Sequence, residues 1–336
     1  MSDSFLSATA AASRPYRVRY ADRLPQPLPE RVLACIVRDP VAPDSDDPRV
    51  LHLPVERLAG PAVELWESVA PVRSGRDADI DYAENDALLF GQVCLPQCAL
   101  DAVAGQTRTL YQRIDALIRR RGYPGLLRVW HFLEAITEGE GDQERYRQFS
   151  LGRHQAIAQM PDFESCLPAA TAIGLSRGGL RVWFMATRQR ARQVENPRQV
   201  SAFRYPRQYG PRSPSFSRAV LMPWADGADL IVSGTASVVG HETVHAGAPA
   251  QQWREIVENL ASLQRQGAEE ATAWSAEYAT VYLRDAALLP ALLPAIRDAF
   301  GPDVPVTILR ADICRDDLDV EAEALYRADT ASEPRP

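Results

Sequence analysis

The sequence lacks an excess of positive charge, a long apolar run and a cysteine framework, and each absence removes a class of function. Lys and Arg number 37 against 44 Asp and Glu, a net charge of -7 over 336 residues. That balance argues against a nucleic-acid surface as the main business of the chain. No stretch approaches the ~20 apolar residues of a membrane span. The N-terminus, MSDSFLSATAAASRP, lacks the basic segment and apolar core of a secretory signal. The five cysteines, Cys35, Cys94, Cys98, Cys166 and Cys314, are odd in number and scattered. They fit a reducing compartment better than a disulfide scaffold. Cys94 and Cys98 have no second pair, so zinc is not expected there. A soluble cytoplasmic protein is expected, with neither nucleic acid nor membrane as partner. The apolar fraction of 46% supports a folded core, and the length suits two or three domains.

Along the chain, residues 1–14 are Ser/Ala-rich and expected to be disordered. Residues 15–80 are proline-rich with short apolar runs, an incomplete β-containing unit, and 73–81 reads as a charged loop. From Leu88 the pattern becomes regular: a strand at 88–95, a helix over 101–121, a strand at 126–133, a helix over 142–160. Then come 168–175 and 180–186, read as a closing hairpin around Ser-Arg-Gly-Gly. The same order recurs from Asp229: a strand, a helix over 249–266, a strand at 278–283, a helix over 288–300, and strands at 306–313 and 318–325. A repeat of about 140 residues is too long for a solenoid and points to duplicated α+β units. In this alignment Gly91 matches Gly234, Pro168 matches Pro305, and Trp183 stands where Glu321 stands in the second copy.

The last run alternates. Leu318, Val320, Ala322 and Ala324 share one face, and Asp319, Glu321 and Glu323 the other. Such carboxylates are either solvated or, where the face borders a pocket, candidate acids or bases. Between the copies, 188–219 interleaves Arg204, Arg207, Arg212 and Arg218 with Phe203, Tyr205, Tyr209 and Phe216. It is either an irregular connection with solvated arginines or an anion-binding loop, since arginine forks grip carboxylates. Gly234 marks either a bulge or a close approach. Arg153, on the helix over 142–160, is either a surface residue or a cation presented to a cleft. His241-Glu242-Thr243-Val244-His245 is a literal H-E-x-x-H. It follows a strand and carries a β-branched pair, which suits a hairpin rather than the helix that a zinc protease needs.

The repeated unit resembles the RidA/YjgF fold, with its VEAEA-like closing strand. The whole chain is similar to the chorismatases, through LLFGQVCLP, WHFLEAITEGEGDQERYRQFSLGRHQA, ENPRQVSAFRYPRQYGPRSPSFSRA, LIVSGTASVVGHET and ADICRDDLDVEAEAL. Within that family it is most similar to the xanthomonad-type members, which convert chorismate to 3- and 4-hydroxybenzoate for aryl-polyene pigment and ubiquinone synthesis.

The resemblance implies tandem RidA/YjgF-like α+β units in pseudo-threefold arrangement within one chain, acting as a monomer. Those units would be 15–80, 85–190 and 226–330, with 191–225 as a connecting loop. The cleft would lie between the second and third units. Glu321 would be the general acid that protonates the enolpyruvyl methylene, helped by like-charge repulsion from Glu323 and Asp319. Cys314, seven residues earlier, would steer the product. Arg153, Arg204 and Arg212 would hold carboxylates, Tyr209 would donate a hydrogen bond, and Gly234, Thr235 and Ala236 would line the site. No metal or organic cofactor is required. Imine deamination is disfavoured, because Val306 and Thr307 follow Pro305 where deaminating relatives carry arginine.

Overall fold

In the computed structural model, residues 13–40, 45–159, 163–189, 191–268 and 273–329 are described. The first stretch of the chain forms β1 (Tyr16–Ala21), β2 (Val32–Arg38), β3 (Val50–Leu53), β4 (Glu56–Ala59), β5 (Val63–Ser68), β6 (Arg73–Asp77) and β7 (Ile80–Glu84). There follow β8 (Leu88–Leu95), α1 (Val103–Arg120), β9 (Gly125–Glu134), α2 (Arg145–Ile157), β10 (Ala169–Leu175) and β11 (Leu180–Thr187). The remainder is β12 (Arg192–Val194), β13 (Ala219–Trp224), β14 (Gly227–Ala236), β15 (Val238–Val239), β16 (Glu242–Thr243), α3 (Pro249–Gly267), β17 (Ser275–Leu283), α4 (Leu289–Phe300), β18 (Val306–Arg310), β19 (Asp312–Ile313) and β20 (Val320–Asp329).

One topology occurs three times. The strand orders β1-β5-β2-β3, β8-β11-β9-β10 and β14-β20-β17-β18 are the same pattern. In each, the last strand of the unit inserts between the first and second and runs antiparallel to both, while the second and third are parallel. Parallel neighbours need a crossover connection, supplied by α2 in the middle unit and α4 in the last. In the first unit no helix lies between the strands among the described residues. The apolar spacing of α1 puts Leu110, Ile114 and Leu117 on one buried face against the second sheet. In α3, Trp253, Ile256, Leu260 and Leu263 do the same for the third. The opposite faces of all three sheets meet in one core that includes Tyr16, Trp66, Phe90, Trp130, Trp183, Tyr278, Tyr282 and Leu325. Short strands tie the sheets together: β4 extends the third sheet at β18, and β19 extends the second at β10.

Several expectations change. Residues 1–12 lie outside the described residues. Arg14 is held by Asp229, 2.9 Å from its Nε. The stretch 73–81 is a hairpin rather than a loop, because its charged residues occupy an exposed sheet edge, where they remain solvated. β10 and β11 do not form a hairpin. They flank β9, and Gly178 and Gly179, both at positive φ, turn the chain across it. The run 306–313 breaks at Ala311, so that Asp312 and Ile313 pair with β10 of the neighbouring sheet. The connecting loop is partly regular: β12 and β13 belong to the third sheet, as β6 and β7 belong to the second.

The repeat alignment also shifts by two residues. In each unit the second strand carries a one-residue bulge against the last, at Leu33, Leu127 and Glu277. Counting from that bulge, the third pairs are Glu64↔Ile36, Trp183↔Trp130 and Glu323↔Thr280. The counterpart of Trp183 is therefore Glu323, not Glu321. Glu64, Trp183 and Glu323 all line a central chamber of about 10 Å³ where the three sheets meet.

Candidate active site

The alternation of β20 decides which side chains reach the interior. Val320, Ala322 and Ala324 pack toward α3 and α4, while Glu321, Glu323 and Leu325 face inward. Glu321 is 4% exposed. Asp319 lies before the strand and accepts from the Gln252 side chain 3.2 Å away, so it contributes no repulsion to Glu321.

The two inward carboxylates have opposite surroundings. Glu323 is gripped on both oxygens. Arg128 Nη2 donates to one at 2.6 Å, joined by the Thr171 hydroxyl, and Trp130 Nε1 donates to the other at 3.0 Å. Three donors, one cationic, thus satisfy both of its oxygens. Glu321 receives no hydrogen bond from the described residues, and burial with the Glu323 charge pushes its carboxyl up to about 8 against a pull from Arg128. It therefore carries a proton at neutral pH. Gly234 makes the geometry possible: a Cβ there would lie 2.0 Å from Glu321 Oε1. The same glycine sits at a bulge between the pairs Val232↔Ala324 and Thr235↔Ala322. Both readings of this glycine hold together, since the bulge opens the strand where the carboxyl crosses it.

Glu321 borders two connected spaces, an inner chamber of about 40 Å³ and an outer cleft of about 420 Å³. The inner chamber is bounded by Arg153, Tyr146 and Ser150 of α2, by His131 and Thr171, and by Ser215 and Phe216. Arg153 is buried, and its Nε and Nη2 have no partner among the described residues; neither does Ser215 Oγ. An unpaired buried guanidinium edge is costly unless a ligand fills it, and it matches a carboxylate. Behind it, His131 Nδ1 donates to the Thr171 carbonyl at 2.7 Å, which leaves Nε2 to accept from Tyr111. Burial and the Arg153 charge hold this imidazole neutral.

The outer cleft is lined by Tyr205, Tyr209, Phe216, Arg147, Arg218 and Arg315, with Glu144, Asp316 and Asp317 at its rim. Arg315 stacks 4.2 Å over the Tyr209 ring and donates to the His241 carbonyl at 3.0 Å. Arg218 Nη2 donates to the Tyr205 hydroxyl at 2.7 Å, and its buried Nε is unpaired among the described residues. Cys314 borders both spaces. Burial and Glu321 raise its thiol to about 12, so it is a neutral thiol rather than a thiolate.

Glu321, Cys314, Arg153, Tyr209, Gly234 and Ala236 therefore converge on these spaces. Arg204 does not: its side chain is 68% exposed and pairs with Glu164 at 3.1 Å. Arg212 is exposed near His154 and lines neither space. Thr235 turns its hydroxyl to the Ser233 carbonyl at 2.9 Å, away from the cleft, as strand alternation next to the inward Gly234 requires. Arg147 and Arg315 were not selected from sequence, and Arg218 was named only as one of the four arginines of the candidate anion-binding loop. Arg315 stands in the acidic run Cys314–Asp317, which reads as a polar turn, and only its stacking on Tyr209 marks it. The H-E-x-x-H segment lies on the β15–β16 hairpin, with His241 near Tyr209 and His245 near Glu255, so its histidines share no helical face.

A family model described as Chorismatase FkbO/Hyg5-like, N-terminal, matches residues 64–186. A 3-hydroxybenzoate synthase of Streptomyces hygroscopicus is 36% identical over 284 residues, covering 81% of this chain and 83% of that protein. A chorismatase of the same organism is 35% identical over 78% of each chain. A chorismatase crystal structure superposes with a TM-score of 0.83 at 30% identity, over 94% of this chain and 99% of the other. With a continuous match on this scale in both sequence and fold, the chain belongs to the chorismatase family.

Proposed function

We propose that this chain cleaves the enolpyruvyl ether of chorismate, releasing pyruvate and 3-hydroxybenzoate, 4-hydroxybenzoate or both. One observation carries the reading: a proton-bearing glutamate beside an unpaired arginine fork in one buried chamber. A module that only bound its ligand would have no use for a buried neutral carboxyl, which costs stability.

Chorismate carries two carboxylates, a cyclohexadiene ring and an enol ether. Glu321 donates its proton to the terminal methylene, and the π pair moves to form that C–H bond, leaving an oxocarbenium ion. Loss of the ring C–O bond, assisted by a neighbouring ring oxygen, releases pyruvate. Aromatisation returns a proton to Glu321. The sum, chorismate to hydroxybenzoate plus pyruvate, balances without water, whereas a dihydrodiol product would require it. Arg153 takes one carboxylate, and Arg218, Arg315 and Arg147 surround the other. Tyr205, Tyr209 and Phe216 flank the ring. Cys314, as a neutral thiol at the junction of the two spaces, bears on how the ring oxygen resolves the cation. The chain is proposed to comprise units 15–80, 85–190 and 226–330 joined by 191–225, and to work as a monomer.

The test is pyruvate release from chorismate by the wild type and by Glu321→Gln. The wild type should release pyruvate together with a hydroxybenzoate. The variant should lose at least the ~10²–10⁴-fold that a general acid contributes. Full activity in Glu321→Gln would remove the acid from the mechanism.

A further inference from the structure

The first sheet lends no residue to either space beside Glu321, yet it places a buried ion pair against the site's other carboxylate. Arg38 Nη2 donates to Glu64 at 2.6 Å, and Trp66 Nε1 donates to the other oxygen of Glu64 at 2.7 Å. Both partners are buried. This repeats the Arg128–Glu323–Trp130 arrangement, at the same count from the strand bulge. Arg38, Glu64 and Glu323 line one chamber of about 10 Å³ together with Tyr278 and Tyr282. Nη1 of Arg38 and Nη1 of Arg128 are both buried without a partner among the described residues.

We infer that the Arg38–Glu64 pair is a positioning element for the general acid, acting across the central chamber on Glu323 and through it on Glu321. The inference rests on Glu321 being that acid. Glu323 is faced by Arg128 and Trp130 of β9, Thr171 of β10, Tyr278 and Tyr282 of β17, and the Arg38–Glu64 pair of the first sheet. Around Glu321 stand Tyr146 and Arg153 of α2, His131, Tyr282, Cys314 and Arg315. As an intact pair, Arg38 and Glu64 add little net charge to this interior. With Glu64 removed, Arg38 cannot discharge, and its uncompensated charge favours the anionic form of Glu321.

The experiment is the pH profile of kcat/KM for pyruvate release, whose limbs report groups of the free enzyme. Glu64→Gln keeps an acceptor for Arg38 and Trp66 but deletes the negative charge. Its alkaline limb should move to lower pH by up to about one pH unit, since each unit corresponds to ~1.4 kcal/mol of differential interaction with the uncompensated charge. The double variant Arg38→Met/Glu64→Gln should restore the wild-type limb, which a purely structural role would not do. If Glu64→Gln does not fold, Glu64→Asp withdraws the charge toward β5 and should shift the limb the same way by less. An unmoved limb in whichever single variant folds, or a double variant that keeps the shift, overturns the inference. A wild-type profile without a limb near 8 would instead overturn the assignment of Glu321.

Discussion

Glu321 and Glu323 are two residues apart on one strand face, and the donors around them separate their roles. Arg128, Trp130 and the Thr171 hydroxyl all converge on Glu323. Nothing among the described residues donates to Glu321, so it pays the full desolvation of a charge and keeps its proton. Gly234 is the third member of this arrangement. In Gly234→Ala the new methyl would fall 2.0 Å from Glu321 Oε1, and the carboxyl must swing aside. We expect kcat to drop by about 10²-fold, the scale of a misplacement of about 1 Å, with folding retained by circular dichroism. Unchanged kcat in that variant would show that the carboxyl need not lie across β14.

At the scale of elements, the site is assembled by strand order. β20 reaches the middle of its sheet by inserting between β14 and β17, and this carries Glu321 to the junction with β10 of the neighbouring sheet. The loop before β13 then covers the cleft with Tyr205, Tyr209 and Phe216. Its arginines divide by which side of the loop they leave. Arg153 comes instead from α2, with its buried fork open to the inner chamber, and Arg153→Ala should raise KM by roughly 10- to 150-fold, the loss of a charge-assisted hydrogen bond worth about 1.5–3 kcal/mol. Arg204→Ala should stay within about twofold, since an exposed pair of its kind contributes little. Steady-state kinetics on the two variants checks this, and equal effects would contradict the placement.

Much of the arrangement was legible from the residues. The helices at 101–121, 142–160, 249–266 and 288–300 were located within a few residues of the four α-helices among the described residues, and period-2 alternation separated Glu321 from Val320 and Ala322. The order in which strands pair was not legible. A parallel β9–β10 pair and an antiparallel hairpin there share the same apolar runs and the same Gly-Gly turn. The sidedness of the arginine loop was hidden for a similar reason. Without a regular period, Arg204, Arg212 and Arg218 look alike, and only packing puts Arg218 against Tyr205 and Arg204 against Glu164.

At the scale of the whole molecule, three copies of one topology yield a single acid. The fifth pair beyond the bulge holds Glu321 opposite Tyr282 in the last unit and Arg181 opposite Phe132 in the middle one. In the first unit that position falls to Ala62, whose carbonyl accepts from the Arg38 backbone N–H at 2.9 Å. The acid has a cost for the fold. The Glu321 carboxyl titrates at about 8 when folded, above its ordinary 4.5. The folded state thus holds a proton that the unfolded state gives up. The penalty is absent below about pH 4.5, grows as pH rises toward 8, and is constant beyond. Glu321→Gln should therefore be more stable than the wild type by about 2–4 kcal/mol at pH 8, with no such gain at pH 4. Denaturant unfolding at the two pH values measures this, and equal differences at both would contradict a raised carboxyl.

The central claim is that Glu321 is protonated where the enzyme works. A direct measurement is the carbon-13 NMR titration of its side-chain carboxyl in the substrate-free protein, assigned by comparison with Glu321→Gln. The account predicts a midpoint near 8. A midpoint near 4.5, the ordinary glutamate value, would mean that the carboxyl is an anion at neutral pH and cannot be the proton donor.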